Sequence, residues 1–267
     1  MQGTLPARLQ RSDGAAWRTP PAAGACEVTR RALLQLFGVA AASLLAPAGM
    51  KAMAAVPAVT AVDHLLLGVA DLDQGIAWVE QRTGVTPAIG GSHPGRGTRN
   101  ALASLGARQY LEVIAPDPAQ KTFTFQLDIR TLKEPRLINW AAAAADIDAI
   151  ARSAKAANRQ TFGPADGSRV RPDGKVLKWR SLGLQSAFGS GAVDPVPFFI
   201  QWAPDSVHPA QDSPKGCELK ALELAHPTPP ALVELLASVG IDARVTQAAA
   251  PALRATLNTP KGIVELT

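Results

Sequence analysis

A strand followed by a capped helix occurs three times in this chain, and this repeat constrains the fold more than any other feature of the sequence. Apolar segments begin at Val62, Leu137 and Leu219, and each leads into apolar residues at helical spacing. The predicted N-capping residues of the three helices are Asp71, Asp146 and Thr228. Shorter extended stretches follow each helix, so each copy is predicted to have the order βαβββ.

A unit with one helix and a curved sheet can bury its apolar face only against another layer. The sequence therefore predicts an α+β fold in which repeated βαβββ modules form curved mixed sheets around a cup, with the helices packed on the outside. The predicted domains are an export signal over 1–54, a two-module domain over 60–204 and a third module over 215–267. The two modules of the larger domain span 60–117 and 135–204. We expect these two modules to build the cup. The third module is expected to be a structural partner, for example by pairing across a homodimer.

Residues 1–54 have the layout of a cleavable export signal. Arg30 and Arg31 directly precede an apolar run over 32–48, and Lys51 and small residues follow it. Paired arginines before a modest apolar run resemble a twin-arginine signal, which exports folded proteins. The run is shorter than the roughly 20 apolar residues that a membrane span needs. We therefore expect a periplasmic or secreted protein with no stable membrane anchor after cleavage.

The charge distribution argues against nucleic acid as a partner. The chain has 27 Lys and Arg against 22 Asp and Glu, a net charge of +5. Residues 1–54 contain six basic and two acidic residues, so only +1 remains for the rest of the chain. A nearly neutral chain without clustered Lys or Arg is not typical of nucleic-acid-binding proteins. Of the two cysteines, Cys26 lies in the export signal, so Cys217 has no partner for an intramolecular disulfide.

Four segments, at 62–67, 90–101, 110–114 and 197–202, carry a resemblance to a known family. They are similar to the glyoxalase-like domain family of the vicinal oxygen chelate superfamily, which includes glyoxalases, bleomycin-resistance proteins and extradiol dioxygenases. The glycine-rich segment at 90–101 is the most specific of the four. Members of the superfamily pair βαβββ modules into a cup that holds a metal ion and a small-molecule ligand. The resemblance implies the same arrangement here.

The resemblance also implies which strand residues face the cup. His64 and Glu112 fall on the metal-binding positions of the first module, and as a histidine and a carboxylate they suit Zn, Fe, Mn or Ni. Their other implied role is catalysis by proton transfer. Asn139 and Gln201 fall on the corresponding positions of the second module, where they would orient the substrate. Two amides are weak metal ligands, so a site with no metal stays an alternative. A site with two histidines and one carboxylate would need His93, His208 or His226 as its second histidine, and His93 is the best placed of these.

The glycine-rich segment permits two interpretations. Its glycines suit a purely structural turn. In the functional interpretation, His93, Arg96 and Asn100 face a ligand, and Arg96 attracts an anionic group. The later stretch at 163–178 is predicted to be a solvated loop between strands, or a lid over the cup.

These features predict an exported enzyme that acts on a small oxygen-rich organic molecule by metal-assisted or carboxylate-assisted chemistry. The reaction would be that of a glyoxalase-like lyase or isomerase, or of a dioxygenase. One alternative is a metal-free protein that binds and sequesters a small molecule, as bleomycin-resistance proteins do. Another is a purely structural or oligomerising module, which would be favoured if the glycine-rich segment packs onto the partner module and closes the cup.

Overall fold

The first βαβββ unit forms as the repeat predicts. The structure is a computed structural model, and it describes residues 55–171 and 173–267, so the predicted export signal lies outside the described residues. Asp71 begins the helix by accepting a hydrogen bond from the backbone N–H of Gln74, and Gly84 ends it with a φ of 79°. The elements up to the end of this unit are β1 (Val56–Pro57), α1 (Ala58–Ala61), β2 (Val62–Gly68), α2 (Leu72–Thr83), β3 (Ala88–His93), β4 (Thr98–Ser104) and β5 (Tyr110–Pro116).

The second unit repeats the same order of elements. Asp146 caps its helix by accepting from the backbone N–H of Ala149. The stretch at 163–178 is not the predicted loop, because most of it pairs as two antiparallel strands. Cross-strand backbone pairing outweighs its polar, glycine-containing composition. The elements are β6 (Arg136–Ala143), α3 (Ile147–Ala156), β7 (Thr161–Val170), β8 (Val176–Leu184) and β9 (Phe198–Trp202).

The two units join through their first strands into one eight-stranded sheet. The strand order is β3-β4-β5-β2-β6-β9-β8-β7, with β2 and β6 antiparallel at the junction. Within each unit the last strand lies parallel to the first, as β5 does to β2 and β9 does to β6. The sheet curls far enough that its edge strands, β3 and β7, contact each other. The α+β fold with curved mixed sheets is thereby confirmed.

The C-terminal segment begins with a strand and a helix as predicted, but four strands follow the helix and they pair differently. The elements after β9 are α4 (Pro209–Asp212), β10 (Glu218–His226), α5 (Pro229–Ser238), β11 (Ile241–Asp242), β12 (Val245–Gln247), β13 (Ala252–Thr259) and β14 (Gly262–Leu266). One sheet has the strand order β12-β10-β13-β14, so β10, the first strand of the segment, lies between β12 and β13 instead of beside the last strand. The two-residue strand β11 pairs with β1 instead.

The main hydrophobic core lies between the eight-stranded sheet and its helices. Leu72 and Val79 of α2 and Ile147 of α3 are buried in one cluster with strand residues such as Leu65 and Leu111. The helices therefore cover the outer face of the sheet, as predicted. None of the helices within the described ranges has the length and apolarity that crossing a membrane requires.

A segment at 118–135, which we call the strap, packs against the opposite, concave face of the sheet. Its side chains alternate in exposure from Phe123 to Ile129, and Ile129 is completely buried. Ile129 packs with Leu66, Ile114 and Ile138, which are strand residues of both units. The strap therefore fills one end of the cup with apolar side chains.

Candidate functional site

Four neighbouring strands bring polar side chains together on the concave face. Alternation along β5 places Tyr110, Glu112 and Ile114 on one side of that strand. Tyr110 belongs to one apolar cluster and Ile114 to the cluster under the strap, so Glu112 lies between them. The polar residues are His64 on β2, His93 on β3, Asn100 on β4 and Glu112 on β5.

Glu112 is the centre of this group and is 7% exposed. Asn100 Nδ2 donates a hydrogen bond to Glu112 Oε1 at 2.6 Å, and His93 Nε2 lies 3.5 Å from the same oxygen. His64 Nε2 lies 3.4 Å from the other oxygen, Oε2. Burial by itself would raise the pKa of Glu112, but His93, His64 and the hydrogen bond from Asn100 outweigh burial and lower the pKa. The carboxylate is therefore ionised at neutral pH.

The imidazole of His64 is fixed from several sides. Its ring stacks on Tyr110 with centroids 4.5 Å apart, and the edge of Phe198 approaches at 5.5 Å. Nδ1 lies 2.8 Å from Asp63 Oδ1, and because a carboxylate can only accept, this nitrogen carries the hydrogen. Nε2, which faces Glu112, is then the ring nitrogen that can accept a proton.

Asp63 is hydrogen-bonded to His64 through one carboxylate oxygen and to two further rings through the other. Its second oxygen, Oδ2, accepts hydrogen bonds from Trp202 Nε1 at 3.0 Å and from His208 Nε2 at 3.1 Å. His208 Nδ1 accepts from the backbone N–H of Ala210, so the hydrogen of this ring is on Nε2. Burial would raise the pKa of Asp63, but the hydrogen bonds from His208 and His64 outweigh it and lower the pKa to about 2.

His93 is the most accessible member of the group, with 17% of its side chain exposed against 4% for His64. Its Nδ1 lies 2.8 Å from Thr98 Oγ1, and its Nε2 lies 3.2 Å from Asn100 Nδ2. Burial lowers the pKa of His93 in spite of the nearby charge of Glu112.

Arg169 reaches this group from β7, on the opposite edge of the sheet, and the sequence did not predict it. The residue is 6% exposed, and its Nη1 donates to Asn100 Oδ1 at 3.4 Å. The glycine-rich segment makes this approach feasible, because a Cβ at Gly90 would lie 2.9 Å from Arg169 Nη1 and 2.3 Å from Asn100 Oδ1. The adjacent glycines at 90 and 91 were the available signal for a close approach of another chain segment.

The other predicted site residues lie elsewhere. Arg96 is exposed, in the turn between β3 and β4. The Asn139 amide donates to two backbone carbonyls at 3.0 and 3.1 Å, and its oxygen accepts from the next backbone N–H. Gln201 Oε1 accepts from the backbone N–H of Ile147 at the start of α3. The structure thus brings together His64, Glu112, His93 and Asn100, while both second-module amides bind the backbone.

A cleft of about 380 Å³ opens beside two of the side chains that hold Asp63, Trp202 and His208. It is lined by Arg108, Trp202, Ser206, His208 and Gln211, among others. Trp202 and His208 donate to Asp63 Oδ2, so the cleft adjoins the hydrogen-bonded chain that leads to His64.

The residues of this arrangement do not fit a divalent metal ion. Within residues 55–171 and 173–267, no set of three or more His, Cys, Asp or Glu side chains is arranged to hold one. The Asn100 amide nitrogen lies between His93 Nε2 and Glu112 Oε1, where it is a hydrogen-bond donor to both and cannot serve as a ligand. The chemistry below is therefore derived from the protein's own side chains.

Comparisons with known proteins support the fold. The family model described as glyoxalase-like domain matches residues 62–240. A hypothetical protein from Staphylococcus aureus has a similar solved structure, with a TM-score of 0.57 and 15% identity over 77% of this chain and 98% of that one. At that identity the likeness is evidence for the fold alone.

Two further solved structures match with lower TM-scores. Methylmalonyl-CoA epimerase from Mycobacterium tuberculosis matches with a TM-score of 0.39 and 22% identity, over 57% of this chain and 94% of that one. The Streptomyces coelicolor methylmalonyl-CoA epimerase in complex with 2-nitronate-propionyl-CoA matches with a TM-score of 0.40 and 16% identity, over 58% and 99%. No curated protein matches the chain.

Proposed function

The chain belongs to the glyoxalase-like domain family, and on this basis we propose that it is an enzyme that moves a proton on a small carbonyl compound. The observation that carries the proposal is the Glu112 carboxylate, which is buried, ionised and within 3.4 Å of an imidazole nitrogen of His64. A charged carboxylate in the middle of an apolar strand is costly unless it is paired, and it has few purely structural uses. Proton transfer at a carbon next to a carbonyl is a reaction that such a group can serve.

Glu112 is the proposed base, and its two oxygens have different tasks. Oε1 is engaged by Asn100, which fixes the carboxyl group. Oε2 is left to accept the proton when the substrate C–H bond breaks. The electron pair of that bond moves onto the carbonyl oxygen and gives an enolate, and return of a proton to the same or a neighbouring carbon completes an exchange or an isomerisation.

His64 is the proposed proton carrier: its Nε2 takes the proton that Oε2 has accepted from the substrate and passes it to the enolate oxygen. Asp63 keeps the Nδ1 hydrogen in place, so that Nε2 is the reactive nitrogen. The substrate would enter past His93, which has the largest exposed fraction of the three side chains around Glu112. Distances of 3.4 and 3.5 Å in the free protein are compatible with catalytic hydrogen bonds that tighten when a ligand binds.

Export belongs to the same proposal. The paired arginines and apolar run within 1–54 support a twin-arginine-type signal and a periplasmic or secreted location. A small molecule outside the cytoplasm would then be the substrate.

Metal-free binding without turnover is the second candidate function. It is supported by Asn139 and Gln201, whose side-chain amides bind backbone groups. Of the four family positions for metal ligands, only those of His64 and Glu112 are then left. A sequestering protein would bind its ligand equally well with or without the charge on Glu112.

Deuterium exchange distinguishes the two functions. The protein is incubated in D2O with pyruvate and, separately, with hydroxyacetone, and loss of the methyl proton signal is followed by NMR. We expect exchange above the buffer rate with the wild type, and a loss of about 100-fold or more in Glu112→Gln. Dialysis against EDTA is expected to leave the rate unchanged. Exchange at the buffer rate for both compounds, or equal rates in Glu112→Gln, would overturn the proposal.

A further inference from the structure

Arg169 is the one Lys or Arg side chain among the described residues that is buried, at 6% exposure. Burying a guanidinium is costly, and such groups are normally paired with a carboxylate or with several hydrogen-bond acceptors. Removal from water also lowers the pKa of Arg169. The molecule therefore holds a cation in a place that is unfavourable for its charge.

The partners that the chain itself provides for this cation are few. A guanidinium has five N–H donors, and among the described residues the side chain makes one hydrogen bond, to the neutral amide of Asn100 at 3.4 Å. No carboxylate of the described residues lies within ion-pair distance of it, whereas other arginines such as Arg180 are paired with an aspartate. Donors remain for a group from outside the chain.

The position of Arg169 connects those donors to the proposed base. The Asn100 side chain receives a hydrogen bond from Arg169 on its oxygen and gives one to Glu112 from its nitrogen. A single amide thus separates the guanidinium from the carboxylate. A ligand group bound to Arg169 would bring the neighbouring atoms of the ligand close to Glu112.

We propose that Arg169 binds the carboxylate of the substrate, which makes the substrate class small 2-oxo carboxylic acids. This inference rests on the proposed proton transfer and adds the group by which the substrate is held. A planar carboxylate matches the fork of a guanidinium in a bidentate pair. A singly charged carboxylate is favoured over a phosphate dianion, because the ionised Glu112 is close and would repel the second charge.

The competing explanation is that Arg169 only offsets the charge of Glu112 through Asn100. In that case its removal would destabilise the fold and would affect charged and neutral ligands alike. An anion anchor instead predicts an effect that depends on the charge of the ligand.

Calorimetric titration with pyruvate tests the inference in the full-length protein. We expect Arg169→Gln to weaken pyruvate binding on the order of 10- to 100-fold, as the loss of a charge-assisted hydrogen bond does, and Arg169→Lys to give an intermediate affinity. Arg180→Gln is the matched control, because it removes an arginine already paired with Asp148. Equal affinity in Arg169→Gln and wild type would overturn the inference, as would weakening in Arg96→Gln alone or inorganic phosphate binding more tightly than pyruvate.

The exchange assay separates this inference from the proposed function. With Arg169→Gln we expect pyruvate exchange to fall on the order of 10- to 100-fold and hydroxyacetone exchange, which needs no carboxylate anchor, to change less than threefold. If Arg169→Gln leaves the exchange of both compounds unchanged while Glu112→Gln abolishes it, Arg169 does not bind the substrate carboxylate. The proposed proton transfer by Glu112 would not be affected by that result. If Arg169→Gln fails to fold, Arg169→Lys gives the same comparison, with the loss again confined to pyruvate.

Discussion

Asp63 and His64 are consecutive in the chain, yet their side chains hydrogen-bond to each other at 2.8 Å. Neighbouring residues of a regular strand point to opposite faces. Here the pairing of β2 with β6 is irregular between Val62 and His64, where the alternation of faces is disturbed. The carboxylate can thus fix the ring that faces Glu112.

Replacing Asp63 by Asn is expected to reduce stability in a pH-dependent way. The pKa of Asp63 is lowered to about 2 from an ordinary value near 4, so ionised Asp63 contributes about 2 kcal/mol above pH 4. That contribution is lost as the pH falls from 4 through 2. Denaturant unfolding of wild type and Asp63→Asn at pH 7 and pH 2.5 measures it. A stability difference that is the same at both pH values would contradict the assignment.

Gly90→Ala is expected to damage the site with little effect on the fold. The new Cβ would lie 2.3 Å from Asn100 Oδ1 and 2.9 Å from Arg169 Nη1, so both side chains must move. A misplacement of site side chains by about 1 Å costs about tenfold or more in rate. Pyruvate exchange in D2O and the melting temperature are the measurements, with Gly183→Ala as control because its Cβ would meet no atom closer than 3.7 Å. Unchanged exchange in Gly90→Ala would show that the glycine is not needed there.

The strap is expected to contribute to stability through Ile129. This side chain is completely buried under the concave face, so Ile129→Ala should lower the free energy of unfolding by about 2–4 kcal/mol. Val176→Ala, at a site that is 48% exposed, should change it by about 0.5 kcal/mol or less. Urea unfolding of both variants makes the comparison. Equal effects would mean that the strap does not pack on the sheet in solution.

The proposed export signal gives a prediction outside the described residues. Replacing Arg30 and Arg31 together by lysines should trap unprocessed precursor inside the cell, because twin-arginine transport depends on the arginine pair. Immunoblots of cytoplasmic and periplasmic fractions measure the outcome. Unchanged processing and export of the variant would exclude this route.

Local signals predicted the parts of the fold that depend on neighbouring residues. The capping residues Asp71 and Asp146 begin their helices as expected, since an N-cap needs only the next turn of backbone. Strand alternation likewise placed Glu112 on one face with Tyr110 and Ile114. The strand order of the C-terminal segment was not predictable in this way, because pairing depends on contacts between distant parts of the chain.

The same distinction applies to the candidate site. His64, Glu112, His93 and Asn100 lie on one unit, and their residue types indicated chemistry. Arg169 reaches them only because the sheet curls until β7 contacts β3, which no local pattern encodes. His208 lies after the last strand of the second unit and contacts Asp63 through tertiary packing alone. Their positions required the three-dimensional structure.

A crystal structure of the protein with pyruvate tests the central claim most directly. The account predicts that the pyruvate carboxylate lies within about 3 Å of the Arg169 guanidinium nitrogens, with the methyl carbon facing Glu112 Oε2. Pyruvate bound elsewhere, such as in the cleft beside Arg108 and Trp202, with the side chains around Glu112 unchanged, would contradict it.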